Sequence, residues 1–191
     1  MTSPFAILFL AIQQRLATIV DNNSAPIFTF IEQDLGQLED NTKGINRPPV
    51  SWPCALIDID DSNFQNTGEN GQTGVVNVYI RIGFPPFSST ALSTPEAYKN
   101  KALYYYDLEQ AIFTTFHGWN PTTVNIVGST TADLSDIFGH FIRVRAMKEE
   151  RNDLLRVRTI IFTVSMSDHS AEDSVTMVPV GYTINTGIHI P

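Results

Sequence analysis

The sequence predicts an α+β fold of two layers, in which two helices pack on one face of an antiparallel sheet of four to five strands. Two segments have apolar residues at helical spacing, and several others alternate apolar and polar residues as half-buried strands do. Of the 191 residues, 42% are apolar and 17% are charged, which is enough to bury a core. We expect residues 1–172 to form a single domain and residues 173–191 to be a C-terminal extension.

Both helices are predicted from the way they begin and from their periodicity. Ser3 and Pro4 provide a hydroxyl N-cap followed by proline at the first helical position. Apolar residues then recur every three or four positions as far as Ile19, which predicts a helix of about five turns. Thr94 and Pro95 repeat this start before a second helix that runs to about Phe116. The second helix carries the apolar stripe Tyr104, Leu108, Ala111, Ile112 and Thr115.

The strands are predicted from period-two alternation. Residues 27–34 form one candidate strand, and residues 36–51 are predicted to be an irregular loop rich in glycine and proline. Residues 53–60 and 75–84 are expected to form a hairpin joined by a flexible polar loop. Residues 141–147 and 157–167 form a second hairpin. We expect Ile142, Val144 and Ala146 to face inward in its first strand, with Ile160, Phe162, Val164 and Met166 facing inward in its second.

The charge excludes several classes of protein. Twenty acidic residues against twelve basic ones give a net charge of −8, so a protein that grips nucleic acid through its phosphates is not expected. The single cysteine, Cys54, cannot form an intramolecular disulfide. No apolar stretch approaches the length of a membrane span, so we expect no membrane partner.

The segment FHGWNP combines residues that could be catalytic with residues that stop a helix. Gly118 stands where a helix end requires positive φ, His117 suits the negative end of the helix dipole, and Pro121 prevents continuation. Trp119 can fold back as an apolar plug. Catalysis by His117 would need a nucleophile or carboxylate partner, and the sequence contains no motif that supplies one. We therefore predict a structural helix stop, no catalytic residues, no cofactor and no enzymatic activity.

A second candidate is the acidic stretch from Asp58 to Glu69. Asp58, Asp60 and Glu69 have the spacing of ligands in a twelve-residue calcium loop. However, Asn63 replaces the glycine of the sharp turn, and the flanking segments are predicted strands rather than helices. The simpler interpretation is an acidic hairpin tip that also includes Asp61, and we expect no metal there. A small calcium-dependent binding module remains an alternative.

Four arginines alternate along the expected outer face of the last hairpin: Arg143, Arg145, Arg156 and Arg158. Like charges that face each other across two strands are unfavourable unless a negative group covers them. The arrangement indicates either a solvated face or an interface with an acidic neighbouring surface. The sequence leaves both interpretations open.

The order helix, hairpin, helix ending in a HGW-P turn, hairpin, and closing TVSMSDHSA resembles the tail-terminator proteins of long-tailed bacteriophages, which are also called tail-completion or head–tail joining proteins. The resemblance covers roughly residues 3–172. The matching residues are Leu108, Ala111, Ile112, His117, Gly118, Trp119, Pro121, Asp168, Ser170 and Ala171.

This resemblance implies a structural virion protein, assembled in the host cytoplasm into a ring that is usually hexameric. Such a ring caps the tail tube and joins it to the head connector or stopper protein, and DNA passes through its channel without specific binding. An acidic channel would not hold phosphates. The implied channel or loop residues are Asp58, Asp60, Asp61 and Glu69. The implied subunit contacts are the four arginines together with Val178, Val180, Tyr182 and Ile184.

Two segments depart from the family pattern. The loop at residues 36–51 is long and contains prolines, and residues 173–191 extend past the usual end. The extension is a candidate for an added strand on a neighbouring subunit or on the tube protein. These departures leave open another neck, head-completion or tail-tube protein of related fold.

Overall fold

The computed structural model describes residues 3–39, 48–84, 89–126, 130–151 and 155–169. Within these ranges the predicted α+β class is confirmed. The elements in chain order are α1 Pro4–Ala17, β1 Phe30–Gln33, β2 Cys54–Asn66, β3 Gln72–Phe84, α2 Glu96–Phe116, β4 Thr123–Ile126, β5 Thr130–Asp133, β6 Ile142–Lys148 and β7 Arg156–Asp168.

The main sheet has five strands in the order β1-β2-β3-β7-β6. The prediction of a purely antiparallel sheet is wrong, because β1 pairs with β2 in parallel, with Phe30 opposite Cys54. Parallel neighbours need a long crossover connection, and the stretch between β1 and β2 that was predicted to be an irregular loop provides one. Its first part lies on the sheet face away from the helices, where Leu38 packs against Cys54, Leu56 and Val157.

The core lies between the helices and the other face of this sheet. Alternate residues of β3 and the predicted inward residues of β7 are all buried there: Val76, Val78, Ile80, Ile82, Phe84, Ile160, Phe162, Val164 and Met166. Leu8, Ile12 and Leu16 of α1 share that core with Leu108, Ile112 and Phe116 of α2. Both helices therefore bury apolar residues against the same face. Tyr104 of the predicted α2 stripe is exposed instead, and α1 ends at Ala17 and is shorter than expected.

A second sheet of two strands, β4 and β5, was not predicted. Each strand has only four residues, and β5, with the sequence TTAD, lacks the apolar alternation by which strands are recognised. Gln14 of α1 holds β4 by a pair of bonds. Its Nε2 donates to the Asn125 carbonyl at 2.6 Å, and the Asn125 N–H donates to its Oε1 at 3.1 Å. Buried Val124, Leu134 and Phe138 join this part of the chain to the core.

The β2–β3 hairpin is longer than predicted, because strand pairing continues through most of the expected flexible loop. Each strand has 13 residues, and a register shift lies between Asp60 and Asn63. Gly74 is required beside that shift, since a Cβ there would lie 2.5 Å from the Asn63 carbonyl oxygen. Only the tip at residues 67–71 remains outside the strands, closed by the Thr67 N–H donating to the Gly71 carbonyl at 2.9 Å.

Arg81 of β3 fastens the crossover segment to the sheet. Its guanidinium donates to both carboxylate oxygens of Glu149, at 2.8 and 2.9 Å, and to Asp34 at 2.6 Å. Burial alone would lower the pKa of Arg81, but the hydrogen bonds and charges of Glu149 and Asp34 outweigh it and raise that pKa above its ordinary value. The segment after β1 is therefore held by a charged network as well as by Leu38.

Candidate assembly surface

The FHGWNP segment ends α2 and lies against the beginning of β6. Helix α2 stops at Phe116, and Gly118 has φ of +79°, in the left-handed region that glycine tolerates. The Gly118 N–H donates to the Phe141 carbonyl at 2.8 Å, and the Phe141 N–H donates to the Trp119 carbonyl at 2.8 Å. The turn therefore pairs with the chain that leads into the edge strand.

The side chains of this turn are occupied by structural contacts. The Nδ1 of His117 accepts a hydrogen bond from the Arg143 N–H at 3.1 Å. Trp119 packs against Phe116 and Phe141, at ring-centroid distances of 5.4 and 5.1 Å. Pro121 is buried. Among the described residues around the turn, no nucleophile or carboxylate is bonded to His117. The contact of His117 with Arg143 holds the turn against β6.

The acidic candidates lie along the first hairpin. Asp58 and Asp60 are exposed on the sheet face away from the helices, opposite Tyr79 and Asn77 of β3. Glu69 is exposed at the tip. The side chain of Asp61 lies outside the described part of the structure. Since Asp58 and Asp60 belong to an extended strand, this stretch does not wrap around a cation as a calcium loop does. Among the described residues, no cluster of three or more His, Cys, Asp or Glu could hold a metal ion.

The expectation that the four arginines share the outer face is wrong for three of them. Arg156 and Arg158 alternate with the outer residues of β7, and thus lie on the same face as buried Ile160 and Phe162. Arg143 is opposite Phe162, on the helix side, and its guanidinium lies 3.8 Å from the Phe113 ring centroid. Only Arg145, opposite Ile161, is exposed on the outer face.

The physical reason at β6 is a bulge between Arg143 and Arg145. A one-residue insertion in a strand exchanges the faces of the residues on its two sides. Ile142 and Val144, which were predicted to face inward, are consequently exposed, at 46% and 56%. Ala146 is half-buried and packs against the core as predicted.

The inward arginines open a cavity between α2 and the β6–β7 hairpin, with a volume of about 490 Å³. Arg156 donates to the Ala102 carbonyl at 2.8 Å, and its guanidinium lies 5.2 Å from the Tyr105 ring centroid. Arg158 forms an ion pair with Glu109 and lies 5.3 Å from the Tyr106 ring. The wall is completed by Thr90, Leu103, Lys148, Glu149, Arg151, Leu155 and Val157. We call this site the arginine cavity.

The arginine cavity is positive in a protein that is otherwise acidic. Four basic side chains and one carboxylate line it. Glu149 is already shared by Arg81 and Arg151, and Glu109 neutralises Arg158. Within the described ranges, no carboxylate forms an ion pair with Lys148 or Arg156. The cavity can therefore accept a negatively charged group.

The amino-terminal half of α2 exposes four large side chains, and two of them, Leu103 and Tyr106, line this cavity. Tyr98, Leu103, Tyr104 and Tyr106 have exposed fractions of 55%, 41%, 40% and 50%. At 100° per residue these positions point to different sides of the helix, whereas Ala102 alone is buried in this half. Large exposed side chains of this kind often mark a surface that a partner covers. Tyrosine and arginine are also the residues enriched at the centres of protein interfaces.

We define the assembly surface as these four α2 residues together with the arginine cavity. Sequence reasoning missed most of it, since it placed Tyr104 on the inward stripe and did not single out Tyr98, Leu103 or Tyr106. The signal that could have revealed it is the YYY run at residues 104–106, because three consecutive tyrosines cannot share one helix face. The predicted contact residues Val178, Val180, Tyr182 and Ile184 lie outside the described residues, as does the rest of the proposed extension.

No protein-family model matches the chain, and no curated protein matches it. A chain in the solved structure titled "Virion of native gene transfer agent (GTA) particle" is similar over 88% of this chain and 100% of its own length, with 11% sequence identity and a TM-score of 0.48. Neither described helix is long and apolar enough to cross a membrane.

Proposed function

We propose that this protein is a structural component of a phage-like virion, and specifically a subunit of a ring that caps the tail tube and joins it to the head connector or stopper. The observation that carries the proposal is the assembly surface, where three tyrosines and a leucine are exposed on the first half of α2 and a positive cavity adjoins Leu103 and Tyr106. A surface of this composition is typical of a subunit that is covered in an assembly. The resemblance of the helix-stop turn to that of tail terminators points to the position in the particle.

The charge of the chain suits a channel for DNA. Asp58 and Asp60 are exposed on the open sheet face, and the net charge is −8. Negative groups around a channel repel phosphates, so DNA passes without being held. Arg143, Arg156 and Arg158 do not offset this, since they stack on aromatic rings on the helix side of the sheet.

The proposed role is non-catalytic and uses no cofactor. His117, the strongest catalytic candidate in the sequence, uses its Nδ1 to accept a backbone hydrogen bond from β6. The proposed partners of the protein are further copies of the same chain, the tube protein and the connector. The proposed place of action is the tail or neck of a virion that is assembled in the host cytoplasm.

One observation favours a second candidate, a tail-tube protein. Tube subunits need long hairpins to build a continuous inner barrel, and β2, β3 and β7 are neighbouring strands of 13 residues each. The first hairpin is thus longer than sequence reasoning expected. A tube subunit stacks without limit, whereas a terminator stops at one ring.

Negative-stain electron microscopy of the concentrated protein separates these candidates. Single closed rings with an open channel are expected for the terminator, and long stacked tubes would favour the tube protein. The double variant Tyr104→Ser, Tyr106→Ser should abolish assembly if the assembly surface carries it. Val20→Ser is the matched control, since Val20 is exposed at 46% beyond the end of α1. Unchanged rings in the double variant would contradict the proposal.

A further inference from the structure

The arginine cavity lies at one end of the main sheet. Arg156 and Arg158 are at the beginning of β7 and pair with Phe84 and Ile82 at the end of β3. Lys148 closes the end of β6, opposite Arg158. Lys148 and Arg156 therefore lie at this end of the sheet. Neither forms an ion pair with a carboxylate in the described part of the chain.

The β2–β3 hairpin tip lies at the other end of the same sheet. Gln72 begins β3 and pairs with Asp168 at the end of β7. Thirteen residues at about 3.3 Å each place the tip about 40 Å from the cavity end. A subunit cannot insert its own tip into its own cavity across that distance, so a contact between the two features joins different molecules.

The tip presents its single carboxylate in a defined way. The Thr67–Gly71 backbone bond closes the turn, and Gln72 Nε2 donates to Asn66 Oδ1 at 3.0 Å below it. Residues 65–70, including Glu69, are all exposed. Two other carboxylates of this hairpin, Asp58 and Asp60, belong to β2 and stand on the sheet face rather than at its tip. The Asp133 carboxylate accepts hydrogen bonds from the Ser135 hydroxyl and backbone N–H.

We infer that the arginine cavity receives the β2–β3 hairpin tip of a second copy of this chain, with Glu69 as the carboxylate that meets Lys148 and Arg156. The inference rests on the proposed assembly function and names the partner of that surface. A contact that joins opposite ends of a subunit is head-to-tail, and repetition of it closes a ring when the rotation between subunits closes. Carboxylates and guanidinium groups form strong charge-assisted hydrogen bonds. The surrounding tyrosines supply the apolar part of the interface.

The test is a charge reversal read by light scattering across a dilution series. Glu69→Lys puts a positive tip against a positive cavity. Lys148→Glu reverses an exposed cavity residue and leaves the Arg156 contacts to Tyr105 and Ala102 in place. Arg156→Glu changes the cavity more than Lys148→Glu does. It is included if its melting temperature shows that the variant is folded. Glu32→Lys on β1 is the control, since it makes the same charge change as the tip variant at an exposed position elsewhere.

We expect each cavity or tip variant to raise the concentration needed for assembly by about tenfold or more, because like charges are brought together at the contact. The double variant Glu69→Lys, Lys148→Glu should return to within about threefold of the wild type, and the Glu32→Lys control should match the wild type. Assembly of the single variants at the wild-type concentration, or a double variant that does not recover, overturns the inference while the ring proposal stands. A wild-type chain that stays monomeric throughout the series overturns both.

Discussion

Single residues decide how the crossover segment is held. Arg81 is 15% exposed at its side chain, and the carboxylates of Asp34 and Glu149 are 9% and 26% exposed. Removal of one charged side chain from these ion pairs leaves the opposite charge partly buried and unpaired. The loss in free energy of unfolding then exceeds what the intact ion pairs contribute. The network could not be foreseen, because Asp34, Arg81 and Glu149 are far apart in sequence. Arg81 meets Glu149 through the pairing of β3, β7 and β6, and it meets Asp34 through the parallel β1–β2 pairing.

The first prediction concerns the pH dependence that this network creates. Burial raises the pKa of Glu149, but Arg81, the Thr159 hydroxyl and Arg151 together lower it below its ordinary value of 4.5. A carboxylate with a lowered folded pKa stabilises the fold above pH 4.5, and that contribution disappears as the pH falls through the folded pKa. Glu149→Gln should therefore reduce the free energy of unfolding at about pH 7 by about 3 kcal/mol, and by less at about pH 3.5.

Urea unfolding at the two pH values measures this difference. Glu150→Gln is the matched control, since Glu150 is the exposed neighbour in sequence. A gap between wild type and Glu149→Gln that stays constant with pH would show that the ion pair with Arg81 is not the source of its stability.

Cys54 gives a second prediction at this scale. It is fully buried on the outer sheet face, with its Sγ 3.7 Å from the Gly83 carbonyl oxygen, and burial raises its pKa to about 11. Because the thiolate is the reactive form, the folded protein should not react with iodoacetamide at about pH 8. Mass spectrometry should find labelling only after unfolding in urea, and rapid labelling of the folded protein would contradict the buried position.

Among the elements, the helix-stop turn could be predicted and the edge strand could not. Glycine, tryptophan and proline carry their conformational requirements locally, so Gly118 marks the end of α2 without knowledge of its neighbours. The side of the sheet on which each β6 side chain lies depends on the bulge between Arg143 and Arg145. The residue types at that position do not predict a bulge. The parallel direction of β1 was likewise hidden, since it depends on where the chain returns after residue 39 rather than on the strand itself.

The third prediction tests the turn. Gly118 has φ of +79° but open space where a Cβ would stand, so alanine there meets backbone strain alone. Gly118→Ala should lower the free energy of unfolding by about 1–2 kcal/mol. Gly68→Ala at the hairpin tip also enters open space, at an ordinary φ, and should change stability by no more than about 0.5 kcal/mol. Equal effects of the two substitutions in denaturant unfolding would remove the conformational argument for Gly118.

For the whole molecule, the helix layer and the sheet layer could be predicted from the periodicity of single segments. The assembly surface depends on how those segments pack against each other. The alternation in β3 and β7 and the stripes of both helices were enough to anticipate a core of helices on a sheet. The arginine cavity could not be anticipated, because it needs β7 to turn Arg156 and Arg158 toward Tyr105 and Tyr106 on α2. The exposed tyrosines have the same origin, since α2 has 21 residues and the core buries only four of them.

The central claim is that this chain closes into a ring through the assembly surface, and its mass in solution tests that claim most directly. Light scattering after size exclusion should give a single species of about 128 kDa, which is six copies of the 21.3 kDa chain, if the symmetry implied by the family resemblance holds. That species should fall to 21.3 kDa in the Tyr104→Ser, Tyr106→Ser variant. A wild-type mass of 21.3 kDa at every concentration would contradict the self-assembling ring.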